Sequence, residues 1–150
     1  MPGSLGRGHA GDEVRVLELE IPSDVSYIER VVELVRRQCE ALAFGPHQVM
    51  LNVPVALTEA LSNAILRGNR EDPTKQVRVV ARVDSERLVV EVRDQGLGFD
   101  LDRCMLDPTT PENVDREDGR GLFLMRKLMD NVERLDADDG NIVRMTLHRQ

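Results

Sequence analysis

Two pairs of neighbouring strand patterns constrain the fold of this chain more than any other feature. The first pair covers Gln76–Val83 and Arg87–Arg93, with a short polar turn between them. In the second pair, Val132–Leu135 and Ile142–Leu147 flank the turn residues 138–141, Asp-Asp-Gly-Asn. Turns this short join antiparallel strands, because a parallel pair needs a crossover of about a dozen residues or more. The chain therefore builds much of its sheet from hairpins.

The helical patterns stand apart from these hairpins. A strand pattern at Val14–Ile21 is followed by apolar residues at steps of three and four, which predict an amphipathic helix that Gly45-Pro46 ends. A second helix is predicted over His47–Leu66, where Pro54 either kinks the helix or marks its first turn, and Gly68-Asn69 is a stop signal. Hairpins with segregated helices favour an α+β fold, a two-layer sandwich of a mixed, mainly antiparallel sheet with helices on one face.

Residues 95–120 break the pattern of strands and helices, and a short apolar helix is predicted after them at Leu122–Met129. The segment contains prolines, glycines and many acidic residues. Because a long irregular segment inside a compact domain is usually functional or disordered, we predict a lid over a ligand site.

Length and charge limit the organisation and the partners of the chain. Its 150 residues suit one domain, predicted over residues 13–150, after a Gly-rich disordered tail at residues 1–12 that is not a secretion signal. The formal net charge is −7 and no run is rich in Lys and Arg, so nucleic acid is not an expected partner. No apolar run was expected to reach the roughly 18 residues of a membrane span, and no membrane partner is expected. Two cysteines without metal-type spacing fit a reducing cytosol.

Glu59, Asn63 and Arg67 form a polar stripe in the second predicted helix. Residues four apart lie on one helix face, and the small residues around this stripe leave room for a ligand. The carbonyl oxygen of an asparagine suits Mg²⁺, which prefers oxygen ligands and usually keeps several waters beside substrate phosphates. A carboxylate one turn away can orient or deprotonate a nucleophile. Taken alone, the stripe also fits a solvated helix face.

Asp94 follows an apolar strand and precedes Gly96 and Gly98. A carboxylate at this place can accept a hydrogen bond from an exocyclic amine, and the glycines let the backbone approach a flat ring closely. The pattern therefore fits adenine. A plain Asp-Gly turn of a sheet protein is the alternative.

Gly119-Arg120-Gly121 directly precedes the short apolar helix. Backbone N–H groups at a helix N-terminus bind anions, and two glycines form a loop that can fold over a triphosphate. Arg120 and the earlier Arg116 can meet phosphate charge. The segment is not a P-loop, and it does not follow a strand as a dinucleotide fingerprint does. A flexible start of a helix is the alternative.

The remaining reactive residue types do not form a site. His9, His47 and His148 are dispersed along the chain and show neither a catalytic triad nor metal-ligand spacing. Cys39 lies on the apolar face of the first predicted helix, so we predict that it belongs to the core.

In this order, the three glycine- and carboxylate-bearing segments resemble the GHKL superfamily of ATPases and kinases, of the gyrase, Hsp90, histidine kinase and MutL type. They are most similar to its small stand-alone branch, the anti-sigma-factor serine-protein kinases of bacteria. The resemblance extends from about Val14 to Arg149. The matching segments are an N box, Glu59-Ala-Leu-Ser-Asn63-Ala-Ile, a first Gly box, Asp94-Gln-Gly96-Leu-Gly98-Phe, and a second Gly box, Gly119-Arg-Gly121-Leu-Phe-Leu-Met.

This resemblance implies an ATP-dependent serine/threonine-protein kinase of the bacterial cytoplasm. Such a protein acts as an anti-sigma factor, phosphorylates an anti-anti-sigma (STAS-type) partner, holds a sigma factor and forms a homodimer. By the same resemblance, Glu59 would polarise the acceptor hydroxyl, Asn63 would hold Mg²⁺ and Asp94 would bind the adenine amine. The nucleotide loops would be shaped by Gly96, Gly98, Gly119 and Gly121.

One departure from the family pattern concerns Arg67-Gly68, where many members carry His-Gly. An arginine here either neutralises phosphate charge or marks altered chemistry. A non-catalytic nucleotide-binding module that sequesters a partner protein is therefore the alternative function. A histidine kinase fragment is disfavoured, because no upstream helix offers a phospho-accepting histidine and a dimerising seam.

Overall fold

The structure is a computed structural model that describes residues 13–96, 120–137 and 139–150. The predicted tail at residues 1–12 and nearly all of the predicted lid lie outside the described residues. Three residues of the predicted nucleotide site or its surroundings lie outside them as well: Gly98, Arg116 and Gly119.

The described strands form one five-stranded sheet in the order β1-β2-β3-β5-β4. Each pair of neighbours in this sheet is antiparallel. The α+β prediction is confirmed, and both predicted hairpins are present. The strands are β1 Arg15–Pro22, β2 Gln76–Val83, β3 Arg87–Asp94, β4 Asn131–Ala137 and β5 Gly140–His148.

The two hairpins close in different ways. In the β2–β3 turn, the Asp84 carboxylate accepts hydrogen bonds from the backbone N–H groups of Glu86 and Arg87, at 2.8 and 2.9 Å. In the β4–β5 hairpin, Ala137 pairs with Gly140, so the turn is tighter than predicted. Asn141, which we expected in this turn, lies in β5 instead, because the strand register extends to the glycine.

Three helices complete the described fold: α1 Ile28–Ala41, α2 Gln48–Gly68 and α3 Arg120–Leu128. A 3₁₀ turn, Val25–Tyr27, leads into α1. This helix ends before the predicted stop at Gly45-Pro46, because Ala43 adopts a positive φ of 63°. The N–H of Phe44 then bonds to the carbonyl of Cys39 at 3.1 Å, which closes the helix end.

The turns of α2 are wider at both ends than in its centre. Gln48–Asn52 and Asn63–Gly68 are π-helical, and Val53–Ser62 is α-helical. Pro54 lies in the first turn of the α-helical part but inside the continuous helix α2, where it lacks the N–H that another residue would donate to the preceding turn. The π turn ahead of it starts the helix one turn earlier, so the proline marks a change of helix type.

By length and composition, α2 passes the test for a membrane-spanning helix, contrary to our expectation that no segment would. It has 21 residues, and its most apolar window has a mean hydropathy of 1.4. Its predicted apolar stripe, from Val49 to Ala64, is buried in the core. The core helix of a soluble protein passes the same test, so this finding is weak support for a membrane span.

The helices cover one face of the sheet, and the core lies between the two layers. The alternate residues of β2 and β3 that face the helices are buried. Cys39 is fully buried in this core, as predicted, and burial raises the pKa of its thiol to about 12. The largest fully buried side chains are Leu57, Leu61, Ile65, Leu88, Met125 and Met145.

The other face of the sheet carries charged side chains. Glu91 accepts hydrogen bonds from Arg93 and Arg144, each at 2.8 Å. Although partial burial opposes it, these bonds lower the pKa of Glu91 from its usual value. Glu91 of β3 is therefore paired with Arg93 on its own strand and with Arg144 on the neighbouring strand β5.

We expect Leu61→Ala to destabilise the protein by about 2–5 kcal/mol, because Leu61 is fully buried and its truncation leaves a cavity. The matched control is Leu66→Ala on the same helix, since the Leu66 side chain is 45% exposed. We expect this control to change stability by about 0.5 kcal/mol or less. Urea unfolding measures both variants, and equal losses would contradict the position of α2 in the core.

Candidate nucleotide-binding site

A cleft lies between α2, α3 and the adjoining strands β3, β4 and β5. Its walls are apolar and are formed by Ala60, Ala64, Val92, Leu122, Met125 and Val143. Its polar side chains are Asn63, Arg67, Asp94, Arg134 and Asn141. An apolar cleft with a few convergent polar groups is typical of a small-molecule site.

The N-box residues lie against the second Gly box. A Cβ placed on Gly121 would lie 3.2 Å from a carboxylate oxygen of Glu59 and 3.3 Å from the amide nitrogen of Asn63. Gly121 is the second residue of α3 and is buried, and α3 packs against the central part of α2. The structure therefore brings Gly121 next to Glu59 and Asn63, although it lies far from both in sequence.

Asp94 ends β3 and points into the cleft. Its carboxylate oxygen Oδ1 accepts hydrogen bonds from the backbone N–H of Gly96 at 2.9 Å and from the side-chain amide of Asn141 at 3.3 Å. Burial raises the pKa of the Asp94 carboxyl above its usual value, while these bonds and the positive charge of Arg134 act in the opposite direction. The protein thus keeps an acid in a partly desolvated position, which is typical of a functional site.

Three glycines allow the chain to pass closely around Asp94. A Cβ on Gly68 would overlap the Asp94 carboxylate, and a Cβ on Gly140 would overlap the Asp94 backbone oxygen. A Cβ on Gly96 would overlap the carbonyl of Gly68. Because backbone atoms cannot move aside as a flexible side chain can, Gly96 and Gly140 are required for this close approach.

The remaining predicted site residues take different positions. Arg67 lines the same cleft as Asn63, and Gly96 lies behind Asp94, against Gly68. Arg120 is the first residue of α3. Glu59 faces Gly121 beside the cleft.

The sequence analysis missed Asn141, Arg134 and Gly140 as neighbours of Asp94. Asn141 was assigned to a turn, and only the β3–β5 register places it opposite Asp94. Arg134 enters the cleft through the pairing of β4 with β5, which no local pattern reveals. The Asp-Gly pair at the hairpin indicated a turn but gave no sign of the contact with Asp94.

Residues 21–147 match the family described as histidine kinase-like ATPase domain. The chain belongs to this family. The match covers most of the chain and includes α2, α3, β3, β4 and the residues of β5 that line the cleft.

Relatives of this ATPase domain carry names that describe their activity. The serine-protein kinase RsbW of Bacillus subtilis is 32% identical over 135 residues, which cover 87% of this chain and 83% of the relative. The protein of the same name from Bacillus licheniformis is 40% identical over the same shares of the two chains. The anti-sigma F factor of Clostridium beijerinckii is 29% identical and covers 66% of this chain and 69% of its own length.

A solved structure has the same fold. It contains the RsbU and RsbW domains of a Mycobacterium tuberculosis protein and aligns with a TM-score of 0.64 over 91% of this chain. The aligned sequences are 14% identical, so the similarity concerns the fold alone. This ATPase domain spans 33% of that longer chain.

Proposed function

We propose that this ATPase domain is a serine/threonine-protein kinase that acts as an anti-sigma factor. It transfers phosphate from ATP to a serine or threonine of an anti-anti-sigma protein, and it sequesters a sigma factor. The observation that carries the proposal is the convergence of Asn63 and Asp94 on one cleft, with Glu59 beside it. The sequence similarity to proteins named serine-protein kinase and anti-sigma F factor supports the same function.

The cleft suits a purine nucleotide. Its apolar walls can hold a flat base, and the Asp94 carboxylate at its polar end accepts a hydrogen bond from the 6-amino group of adenine. Arg67 and Arg134 bring positive charge to the lining of the cleft in a chain with a net charge of −7. Guanidinium groups pair with phosphates and stack on aromatic rings, so both are suited to a nucleotide.

The N-box pair fits a magnesium ion. Asn63 and Glu59 place an amide and a carboxylate side by side at Gly121, near the N-terminus of α3. Within the described residues, no group of three or more His, Cys, Asp or Glu side chains is placed to hold a metal. Mg²⁺ commonly takes one or two protein oxygens and completes its shell with phosphate oxygens and waters. The bound ion would neutralise charge on the phosphates, and Asn63 would be its ligand.

Glu59 is the residue to which we assign proton transfer. Its carboxylate would accept the proton of the partner's hydroxyl and hold the oxygen in line with the phosphorus. Phosphoryl transfer depends mainly on such positioning and on charge stabilisation. In the same proposal, Gly96 and Gly121 shape the backbone around the nucleotide, together with Gly98 and Gly119, which lie outside the described residues. Arg120 contributes positive charge.

The names of the relatives support a sigma factor and an anti-anti-sigma protein as partners. We propose a STAS-type anti-anti-sigma protein as the phosphate acceptor, a sigma factor as the sequestered protein and a homodimer as the functional unit. The bacterial cytoplasm is the proposed location.

A thermal-shift and phosphate-transfer experiment tests the proposal. ATP with Mg²⁺ at about 100 times its Kd is expected to stabilise the folded chain by about 2.7 kcal/mol, because it binds only that state. Radiolabelled ATP is then expected to label a candidate anti-anti-sigma partner. Stabilisation without labelling of any partner would favour the non-catalytic nucleotide-binding module. No stabilisation by ATP would contradict both functions.

A further inference from the structure

We propose that Asn69 is a positioning residue of the nucleotide site, which holds Asp94 in the direction needed to recognise the amino group of the base. This proposal rests on the proposed function. Asn69 itself lies behind the cleft lining and acts through the turn that carries Asp94.

Asn69 is a buried amide with partners on three segments. It follows the last residue of α2, and only 1% of its surface is exposed. Its Nδ2 donates to the hydroxyl of Ser23 at 2.9 Å and to the carbonyl of Gln76 at 3.0 Å. Its Oδ1 accepts the backbone N–H of Gln95 at 2.7 Å. One side chain at the end of α2 therefore connects three segments: the residues after β1, the start of β2 and the turn after β3.

The bond to Gln95 restrains the residue between Asp94 and Gly96. A second bond supports it, because the Gln95 side chain accepts the backbone N–H of Gln76 at 2.7 Å. On the opposite side, Gly96 packs against the carbonyl of Gly68. The backbone that follows Asp94 is thus held both at Gln95 and at Gly96.

Only an amide side chain satisfies these partners at once. It offers two N–H donors and one carbonyl acceptor, and all three are used here. An aspartate keeps an acceptor for Gln95 but has no donor for the Gln76 carbonyl. An alanine leaves the partly buried N–H of Gln95 and carbonyl of Gln76 without this partner, which loosens the turn.

The test compares two ligands that differ in the group that Asp94 would recognise. ATP carries the 6-amino group, and the triphosphate of purine riboside lacks it. Calorimetry with Mg²⁺ gives the ratio of their dissociation constants for each variant. We expect the wild type to prefer ATP by about tenfold or more, the amount that a hydrogen bond to a charged group supplies. In Asn69→Ala this preference is expected to fall at least about fivefold, because the turn no longer holds Asp94.

Two further variants separate positioning from a general loss of stability. Gln48 is another buried amide, at the end of α2 opposite Asn69, where its Nε2 donates to the carbonyl of His148 at 2.8 Å. Gln48→Ala is expected to destabilise the fold and to leave the ligand preference unchanged. Asn69→Asp retains an acceptor for Gln95 and is expected to recover part of the preference lost in Asn69→Ala, while its buried carboxylate beside the Gln76 carbonyl is expected to lower the stability of the fold.

The outcomes distinguish this inference from the proposed function. A wild type that binds neither nucleotide would overturn both proposals. A wild type that binds both equally would overturn the assignment of Asp94 and with it the positioning role, while the proposed function would stand. If the wild type prefers ATP and Asn69→Ala keeps the full preference, the positioning role is wrong and the proposed function stands. An equal loss of preference in Gln48→Ala would also overturn the positioning role.

A measurement on the wild type covers the case in which Asn69→Ala does not fold. The Gln95 amide proton is expected to exchange slowly with solvent, and ATP is expected to slow it further than the triphosphate of purine riboside does. Exchange at the rate of an unprotected amide, or equal slowing by both ligands, would overturn the inference.

Discussion

Glu59→Gln is expected to lower the rate of phosphate transfer to the partner by about 100-fold to 10,000-fold, the range in which a positioned general base contributes. The amide keeps the shape of the carboxylate but cannot accept the proton of the acceptor hydroxyl. The Kd for ATP is expected to stay nearly unchanged, because this interaction is made only in the transition state. Single-turnover transfer from radiolabelled ATP measures the rate, and calorimetry measures the Kd for ATP.

Glu33→Gln is the matched control for this substitution. Glu33 is on α1 and pairs with Arg36 at 2.7 Å and with Arg37 at 2.9 Å, away from the cleft. These arginines lower the pKa of Glu33 to about 2, so the control also removes a full negative charge at neutral pH. Equal transfer by the wild type and Glu59→Gln would remove Glu59 from the catalytic role.

Asp94→Asn is expected to weaken ATP binding by about 10- to 150-fold, because a charged acceptor for the adenine amine is lost. Without ATP, the variant is expected to be more stable than the wild type near neutral pH. Burial raises the pKa of Asp94 in the folded state, so the wild type carries an ionised group that folding disfavours. Calorimetric titration with ATP measures the loss of affinity. Urea unfolding of the free protein measures the gain in stability.

The pH dependence of stability tests the sign of the second effect, which is the higher stability of Asp94→Asn without ATP. Because the folded-state pKa of Asp94 is raised, its contribution to stability is fully present below the unfolded-state pKa and is lost as pH rises through the folded-state value. The stability advantage of Asp94→Asn is therefore expected to grow from acid to neutral pH.

Asp72 provides the opposite case, since its hydrogen bonds with Thr74 lower its pKa. Asp72→Asn is expected to lose stability relative to the wild type as pH rises, and the same sign for both variants would contradict this account.

The sequence predicted the elements because their signals are local. The alternation in Gln76–Val83 and the apolar stripe of α2 each depend on residues a few positions apart, and both elements formed where expected. The errors occurred where the chain leaves a regular element. Ala43, with its positive φ, ended α1 ahead of Gly45, and a tighter turn moved Asn141 into β5.

The site residues likewise divide into those that have a local signal in the sequence and those that have none. Glu59 and Asn63 were found from their spacing on one helix, and Asp94 from its place after an apolar strand. Their roles in catalysis, metal binding and base recognition stay predictions, to be decided by the variants described above. Arg134 gave no local signal, since a single arginine on a strand is ordinary in sequence.

By itself, the sequence determined the order of helices and hairpins and the three motifs that carry the family resemblance, because periodicity and short motifs are properties of neighbouring residues. Only the tertiary structure decided what surrounds Asp94. Asn141 and Asn69 are 47 and 26 residues away from their bonding partners Asp94 and Gln95. Such contacts are set by the β3–β5 register and by the packing of the end of α2 against the sheet. Both arise when the whole core assembles, so no local pattern encodes them.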